Sequence, residues 1–427
     1  MIGVIADDLT GAHDIGSMFA KSGALVHVFT HTALDEPADY RWDEPDVLIL
    51  DTNSRFDTPS VAYTKVLTAA RRLRELGCTK YYKKICSAFR GNIGPELDAM
   101  LRGIDEDFAV VVPGFPKNGR QTIHGIHYIH GIPLAESEFR LDPVHPMTES
   151  NLVEILQGQT EGRVALVDHS LIEKGPIGLR AEVERLEGEY QYAILDVVNQ
   201  DSLEIIAEGL RHLPIFSGSS ALAEELPIPP KKSPTHYDLA VPKKTDVGIL
   251  CVAGSLTPQT KAQVEHMKER GAPALELSSL DVLTDRRKLE IERLVAQASP
   301  RLGRGEDVLI HTAYSPEVVT RTVELGRAQG LSTEAVSRSV SEALAEVVNQ
   351  CVYRAGVSRL VLAGGDTAAS ICARLKTTGM QIGREIEPGI PSCISLGDLH
   401  LFMVLKPGSF GGSSFFTKAC RHLRGKG

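Results

Sequence analysis

Residues 1–14 read Met1-Ile2-Gly3-Val4-Ile5-Ala6-Asp7-Asp8-Leu9-Thr10-Gly11-Ala12-His13-Asp14, an apolar run that breaks into acids and resumes with helical spacing. Ile2–Ile5 has the length and β-branched content of a strand covered on both faces. A strand that turns into a helix through polar residues is the repeating unit of α/β architecture. Further apolar runs predict strands over 47–50, 109–112, 164–167, 193–195 and 215–216, then over 248–252, 308–311, 360–362, 393–396 and 402–405. Helix starts lie between them. Thr58-Pro59 and Thr257-Pro258 each place a cap before a proline at the first helical position, and Val61, Val66, Ala70 and Leu73 make an apolar stripe on the first of these helices.

With 427 residues the chain exceeds one ordinary core, and residues 226–244 are rich in proline and lysine. The expected organisation is two α/β domains, each a mainly parallel sheet flanked by helices. They span residues 1–228 and 246–427, with a linker over 229–245. A formal net charge of -9 opposes binding to nucleic acid or an anionic membrane. No apolar run approaches the roughly 20 residues of a membrane-spanning helix. Seven scattered cysteines without a Cys-x-x-Cys pair, and an N-terminus without a basic leader, suit a cytoplasmic protein with reduced thiols.

In open α/β sheets ligands bind beyond the carboxyl ends of strands, so the loops after strands are where chemistry is expected. The first such loop carries Asp7, Asp8 and Asp14. One acid serves as a helix cap, and the second, with no cap to make, is free for hydroxyls or a hydrated cation. Arg55, after the strand 47–50, has the planar fork that suits a carboxylate, although pairing with Asp51 would occupy it. Lys83, Lys84, Ser87, Arg90 and the glycines of 91–94 lead into a helix start and suit an anion. Residues 113–120 end in another cation, Arg120. His124, His127 and His130 sit in a glycine-rich, strand-like stretch whose alternation separates them, which speaks against a metal site. Cys86 reads as a buried thiol more readily than as a nucleophile.

The second half has three glycine-rich loops after strands: Ala253-Gly254-Ser255, Gly364-Gly365-Asp366-Thr367, and Lys406-Pro407-Gly408-Ser409-Phe410-Gly411-Gly412. Unobstructed N–H groups at a helix start suit phosphate, and Asp366 is placed to bind Mg²⁺ or accept a proton. The P-loop, Gly-x-Gly-x-x-Gly and Gly-x-Ser-x-Gly motifs are absent, which argues against a P-loop kinase, a dehydrogenase and an α/β-hydrolase.

These motifs, with Pro146-Met147-Thr148 and Ser150-Asn151-Leu152, run in order along almost the whole chain, which resembles the four-carbon acid sugar kinase family. The resemblance implies an acid-sugar domain, a nucleotide domain and an active site in the cleft between them. It implies ATP with Mg²⁺, and transfer to the terminal hydroxyl of D-threonate, with D-erythronate or 3-oxo-tetronate as alternatives. The expected substrate contacts are Asp8, Arg55, Lys83, Lys84, Ile85, Cys86, Ser87, Arg90 and Arg120. The expected nucleotide contacts are Ser255, Gly364, Gly365, Asp366, Thr367, Gly408, Ser409, Gly411 and Gly412. Asp366 is the first expectation for the base and Asp8 the second; no metal ligand is assigned. Many members have Asp and Thr where this chain has Cys86 and Ala88. The expected partner is a small anionic sugar acid, with neither nucleic acid nor membrane, and a homodimer is compatible with the sequence. A non-catalytic sugar-acid sensor, or a nucleotide-dependent dehydrogenase or ligase, are the competing classes.

Overall fold

The computed structural model describes residues 1–30, 45–142, 144–227 and 246–425. The chain divides into two compact units, Met1–Tyr237 and Asp238–Gly427. The linker expected over 229–245 lies outside the described residues.

In the first unit the elements run β1 (Ile2–Ala6), α1 (Leu9–Lys21), β2 (Val26–Thr30), β3 (Val47–Asp51), α2 (Pro59–Glu75), β4 (Lys80–Lys84), α3 (Ile93–Ile104) and β5 (Ala109–Val112). They continue with β6 (Arg120–Ile123), β7 (Ile126–Ile129), β8 (Ile132–Pro133), α4 (Leu152–Gln157), β9 (Val164–Val167), α5 (His169–Ile172), α6 (Gly175–Leu186), β10 (Tyr192–Leu195), α7 (Gln200–Leu210), β11 (Ile215–Gly218) and α8 (Ala221–Glu225). Eight strands lie in the order β2-β3-β1-β4-β11-β5-β10-β9, all pairs parallel. β1, β3 and β5 are buried at every position, as doubly covered strands require. On α2 the buried stripe is Ala62, Val66, Ala69, Ala70 and Leu73; Val61, expected on it, is 43% exposed. The histidine-bearing stretch forms the antiparallel sheet β6-β7-β8. Its Thr122 exchanges backbone hydrogen bonds with Val197 just after β10, so it sits at the carboxyl end of the large sheet.

The second unit runs β12 (Leu250–Ala253), α9 (Pro258–Glu269), β13 (Ala274–Leu277), α10 (Ser279–Val282), α11 (Arg287–Gly303), β14 (Val308–Thr312), α12 (Pro316–Ala328), α13 (Thr333–Ala355), β15 (Arg359–Ala363), α14 (Gly365–Arg374), β16 (Gly379–Glu387), β17 (Ile390–Leu396), β18 (Phe402–Lys406) and α15 (Phe415–Leu423). The order is β13-β14-β12-β15-β18-β17-β16. The first five strands are parallel, while β17 is antiparallel to both neighbours. β13 and β16 are the strands here that apolar runs do not reveal: both are partly exposed, and they carry Glu276, Gln381, Arg384, Glu385 and Glu387.

Both sheets share one topological feature. From β1 the chain adds β2 and β3 on one side and then β4 on the other; from β12 it adds β13 and β14 on one side and then β15 on the other. Crevices form outside the carboxyl ends at such reversals. In the first unit that point lies between Asp7-Asp8 and the loop after Lys84. In the second it lies between Gly254-Ser255 and Gly364-Thr367.

Candidate functional site

At the reversal in the first unit, Arg55 is the central cation. Its Nε donates to Asp7 Oδ2 at 2.7 Å and its Nη2 to Asp7 Oδ1 at 2.8 Å, a bidentate fork. The same Nη2 also donates to Asp8 Oδ1 at 2.7 Å. Burial alone would raise the Asp7 carboxyl, but Arg55 and Lys83 outweigh it and hold it at about 2. Arg55 is therefore committed to Asp7, neither paired with Asp51 nor free as a carboxylate anchor. The expectation for the two acids also reverses. Asp8 is the cap of α1, accepting the Gly11 N–H at 3.0 Å and the Thr10 hydroxyl at 2.7 Å. Gly11 is required by crowding: a Cβ there would lie 2.4 Å from Asp8 Oδ1 and 3.2 Å from Lys84 Nζ.

Strand alternation sends Lys83 and Lys84 to opposite faces of β4. Lys83 is fully buried and its Nζ lies 2.7 Å from Glu96 Oε2 on α3. Glu96 also accepts the Ser54 hydroxyl at 2.6 Å. Lys83 is thus an internal ion pair and leaves the expected substrate contacts. Ile85 leaves them as well, because its side chain is buried, its N–H donates to Gly218 O and its carbonyl accepts from Lys84. Lys84 lies on the α1 side, 3.8 Å from Asp14 Oδ2. Asp14 in turn accepts the Ser220 hydroxyl.

The next loop brings a thiol among guanidiniums. Arg90 Nε donates to Cys86 Sγ at 3.4 Å, while its Nη1 donates to Asp142 Oδ2 at 2.6 Å and the group stacks on Phe139. Burial would raise the Cys86 thiol; Arg90 and Arg55 reverse this and bring it down to about 7. Ser87 is half-buried, and its carbonyl accepts from His127. Asp51, considered in the sequence only as a partner for Arg55, is buried; burial, with Asp8 and Asp7 nearby, raises it to about 8.

Arg120, at the start of β6, is the exceptional residue. It is 3% exposed. Its Nη1 donates to the Asn118 carbonyl and meets His130 Nε2 at 3.2 Å. Among the described residues its Nε has no acceptor and no carboxylate pairs with it. Burial lowers its pKa, with Cys86 acting against that shift. An almost fully buried guanidinium without an acid partner is costly unless an anion completes it. Strand alternation does not by itself separate the three histidines. His124 and His130 occupy turns with positive φ, while His127 lies in β7. Among the described residues no group of three His, Cys, Asp or Glu side chains is placed to hold a metal.

At the reversal in the second unit three loops are pressed together. A Cβ on Gly254 would lie 1.9 Å from Thr367 Oγ1, one on Gly408 would lie 2.5 Å from Ser255 Oγ, and one on Gly364 would lie 3.2 Å from Ser255 N. Ser255, Gly364, Thr367 and Gly408 are thus brought together. Gly364 holds φ +116 as the cap of α14, and its N–H donates to Lys406 O. Gly365 and the exposed Asp366 form the first turn of α14. Thr257 is at the cap of α9 but spends its hydroxyl on Gly408 O at 2.6 Å. Gly411 holds φ +83. Gly412 is already occupied, its N–H donating to Glu387 Oε2 at 2.8 Å.

A cavity of about 350 Å³ lies elsewhere, at the amino ends of β5 and β10. Asp98, Asp105, Glu106, Asp107 and Glu161 face it against Arg102, the wrong sign for an anionic ligand.

Comparison with known proteins agrees with this division of labour. A family model described as a sugar-binding N-terminal domain matches residues 2–226, and one described as a nucleotide-binding C-terminal domain matches residues 250–416. The chain is 32% identical over 432 residues to the 3-oxo-tetronate kinase of Pseudomonas savastanoi pv. phaseolicola, covering 100% of this chain and 98% of that protein. It is 33% identical over 434 residues to the 3-oxo-tetronate kinase of Cupriavidus necator, again covering 100% and 98%. Among solved structures, a Salmonella typhimurium LT2 protein described as a putative tRNA synthase superposes with TM-score 0.81 at 29% identity, covering 99% of both chains. A Haemophilus influenzae protein superposes with TM-score 0.71 at 28% identity, covering 98% of both chains. The class is an ATP-dependent sugar-acid kinase. The chain belongs to the four-carbon acid sugar kinase family. Among the described residues, no helix is long and apolar enough to cross a membrane.

Proposed function

We propose that this protein transfers the terminal phosphoryl group of ATP to the 4-hydroxyl of 3-oxo-tetronate, with D-threonate and D-erythronate as poorer substrates. The observation that carries the reading is Arg120, a buried guanidinium of the sugar-binding unit that no carboxylate pairs with among the described residues. It replaces Arg55 as the anchor for the substrate carboxylate, with Lys84 and Arg90 adding positive potential.

The state of the acids favours an oxo group over a further hydroxyl at C3. Asp7 has both oxygens engaged by Arg55, Asp8 accepts three donors, and Asp142 accepts from Arg90 and the N–H groups of Val144 and His145. The cup is rich in donors and short of free acceptors, and a ketone accepts hydrogen bonds without donating any. The relatives spanning the whole chain are named for 3-oxo-tetronate as well.

The glycine loops of the second unit suit a polyphosphate, which backbone N–H groups at a helix start can meet; Gly254 and Gly408 let these loops close up, since a Cβ there would collide with Thr367 Oγ1 or Ser255 Oγ. Ser255, Gly364, Gly365, Thr367, Gly408, Ser409 and Gly411 are the proposed nucleotide contacts; Gly412 is dropped because its N–H is taken. Mg²⁺ arriving with the nucleotide would be held largely by phosphate oxygens and water, with Asp366 at the helix start within the same loop set, and would supply charge neutralisation for phosphoryl transfer. Asp366, exposed on the first turn of α14, is the proposed acceptor of the hydroxyl proton. Asp8, already accepting three donors, is the poorer base. Asp366→Ala should lower kcat by about 10²–10⁴-fold, and near-normal turnover would remove it from this role.

The substrate is tested by coupled ADP release with 3-oxo-tetronate and the D- and L-isomers of threonate and erythronate. The highest kcat/KM is expected with 3-oxo-tetronate. A higher value with D-threonate would reverse the assignment, and silence with every tetronate would overturn it.

A further inference from the structure

A lysine in a glycine-rich loop ordinarily reads as a phosphate ligand, but Lys406 is not available for one. It is fully buried at the end of β18. Its Nζ has four oxygen atoms around it: Thr260 Oγ1 at 3.0 Å and the carbonyls of Pro407 at 2.8 Å, Gly408 at 3.0 Å and Phe410 at 3.2 Å. An ammonium has three N–H groups, so its donors are used up before any ligand arrives. Burial lowers the Lys406 pKa to about 7, with Glu387 acting against that shift. A buried cation held by carbonyl dipoles instead of a carboxylate is an expensive arrangement to maintain.

The geometry of the trans peptide shows what it achieves. Within each planar unit the C=O of one residue points opposite to the N–H of the next. With the carbonyls of Pro407, Gly408 and Phe410 drawn onto Lys406, the N–H groups of Gly408, Ser409 and Gly411 turn the other way. Among the described residues none of these three N–H groups has an acceptor. The hydroxyls of Thr257 and Thr260 and the amide of Gln263 reinforce the pull, on the Gly408, Phe410 and Gly411 carbonyls. The outward N–H groups belong to the loop that meets Ser255 across Gly408.

We propose that Lys406 is a positioning residue, an interior ammonium that gathers the carbonyls of Pro407, Gly408 and Phe410 so that the opposite N–H groups form the phosphate-binding face of the nucleotide site. This rests on the reading of the second unit as the nucleotide-binding part. The test uses the full chain with Lys406→Met, Lys406→Gln and Gly408→Ala, measuring KM for ATP, KM for the sugar acid, kcat and the thermal midpoint. Lys406→Met should raise KM for ATP at least 30-fold with KM for the sugar acid within twofold. Lys406→Gln, whose amide can still donate to two carbonyls, should raise KM for ATP only about tenfold. If Lys406→Met does not fold, Lys406→Gln decides: a tenfold rise confined to ATP supports the role, and an unchanged value overturns it. Equal effects of Met and Gln, or equal losses for both substrates, would overturn carbonyl capture. If Gly408→Ala weakens ATP while Lys406→Met does not, the Lys406 role falls and the phosphate loop stands. If neither weakens ATP, the loop reading falls and takes the proposal with it.

Discussion

Lys83 and Lys406 are both fully buried lysines at the carboxyl ends of strands, and the two units neutralise them by different means. Lys83 meets the Glu96 carboxylate at 2.7 Å; Lys406 meets three backbone carbonyls and a hydroxyl. In the first unit the ion pair sits among other side-chain charges, where Arg55 holds Asp7 and Asp8 while Lys83 holds Glu96, and among the described residues no carboxylate pairs with Arg120. In the second unit few charges meet at the site, and the order lies in the backbone, with carbonyls turned inward. The difference matches the ligands proposed. A small acid with several distinct oxygens is distinguished by side chains of particular shape, whereas a polyphosphate is met by repeated N–H groups and close backbone approach.

The comparison is most severely challenged at Lys83. Lys83→Met leaves Glu96 buried without its partner and should cost about 3–5 kcal/mol in urea unfolding, while Lys83→Met with Glu96→Leu should recover most of that. A single variant as stable as the parent would show that the pair does not organise the first unit. Retained turnover in the double variant would confirm that Lys83 does not touch substrate.

The second largest effect is expected at Arg120. Arg120→Ala should raise KM for the sugar acid by about 30-fold or more, since truncating one partner of a buried hydrogen-bonded charge pair costs about 2–5 kcal/mol, and should leave KM for ATP unchanged. An unchanged sugar-acid KM would return the anchor to another cation.

Gly254→Ala tests the backbone side of the comparison. Its methyl would need the space of Thr367 Oγ1, 1.9 Å away, so KM for ATP should rise by about tenfold or more, and Thr367→Ser should not relieve it because the hydroxyl stays. The Oγ atom, rather than the bulk of the threonine methyl, is the obstacle.

The smallest effect is one of pH. Cys86 is lowered to about 7 because Arg90 and Arg55 favour the thiolate over the thiol. The anion is present above that value and lost below it. As pH falls from 8 to 6, Arg90 loses one anionic neighbour but keeps Asp142, so kcat/KM for the sugar acid should fall by about threefold beyond the change seen in Cys86→Asp, whose carboxylate stays charged across this range. Parallel profiles for the two proteins would show that the thiolate has no part in holding Arg90.

Much of the fold was legible because parallel strands buried on both faces leave apolar runs. The strands over 109–112 and 164–167 coincide with β5 and β9, and that over 402–405 differs from β18 by one residue. β13 and β16 were not legible, because a strand with a polar side loses that signal. The candidate site was legible as a set of loops but not as a set of partners. Arg90 meets Asp142 across 52 positions and Arg55 meets Asp7 across 48, and no local pattern encodes such a pairing.

The sequence by itself determined that two α/β units would present polar loops in one half and glycine loops in the other, since residue type and strand period are local properties. Only the tertiary structure decided which charges are spent. It committed Arg55 to Asp7 and Lys83 to Glu96, made Asp8 the cap, closed Lys406 over its own loop, and among the described residues left Arg120 without an acid. The physical reason is that the state of a buried charge depends on which donors and acceptors the fold brings within about 3 Å of it, and those come from distant parts of the chain.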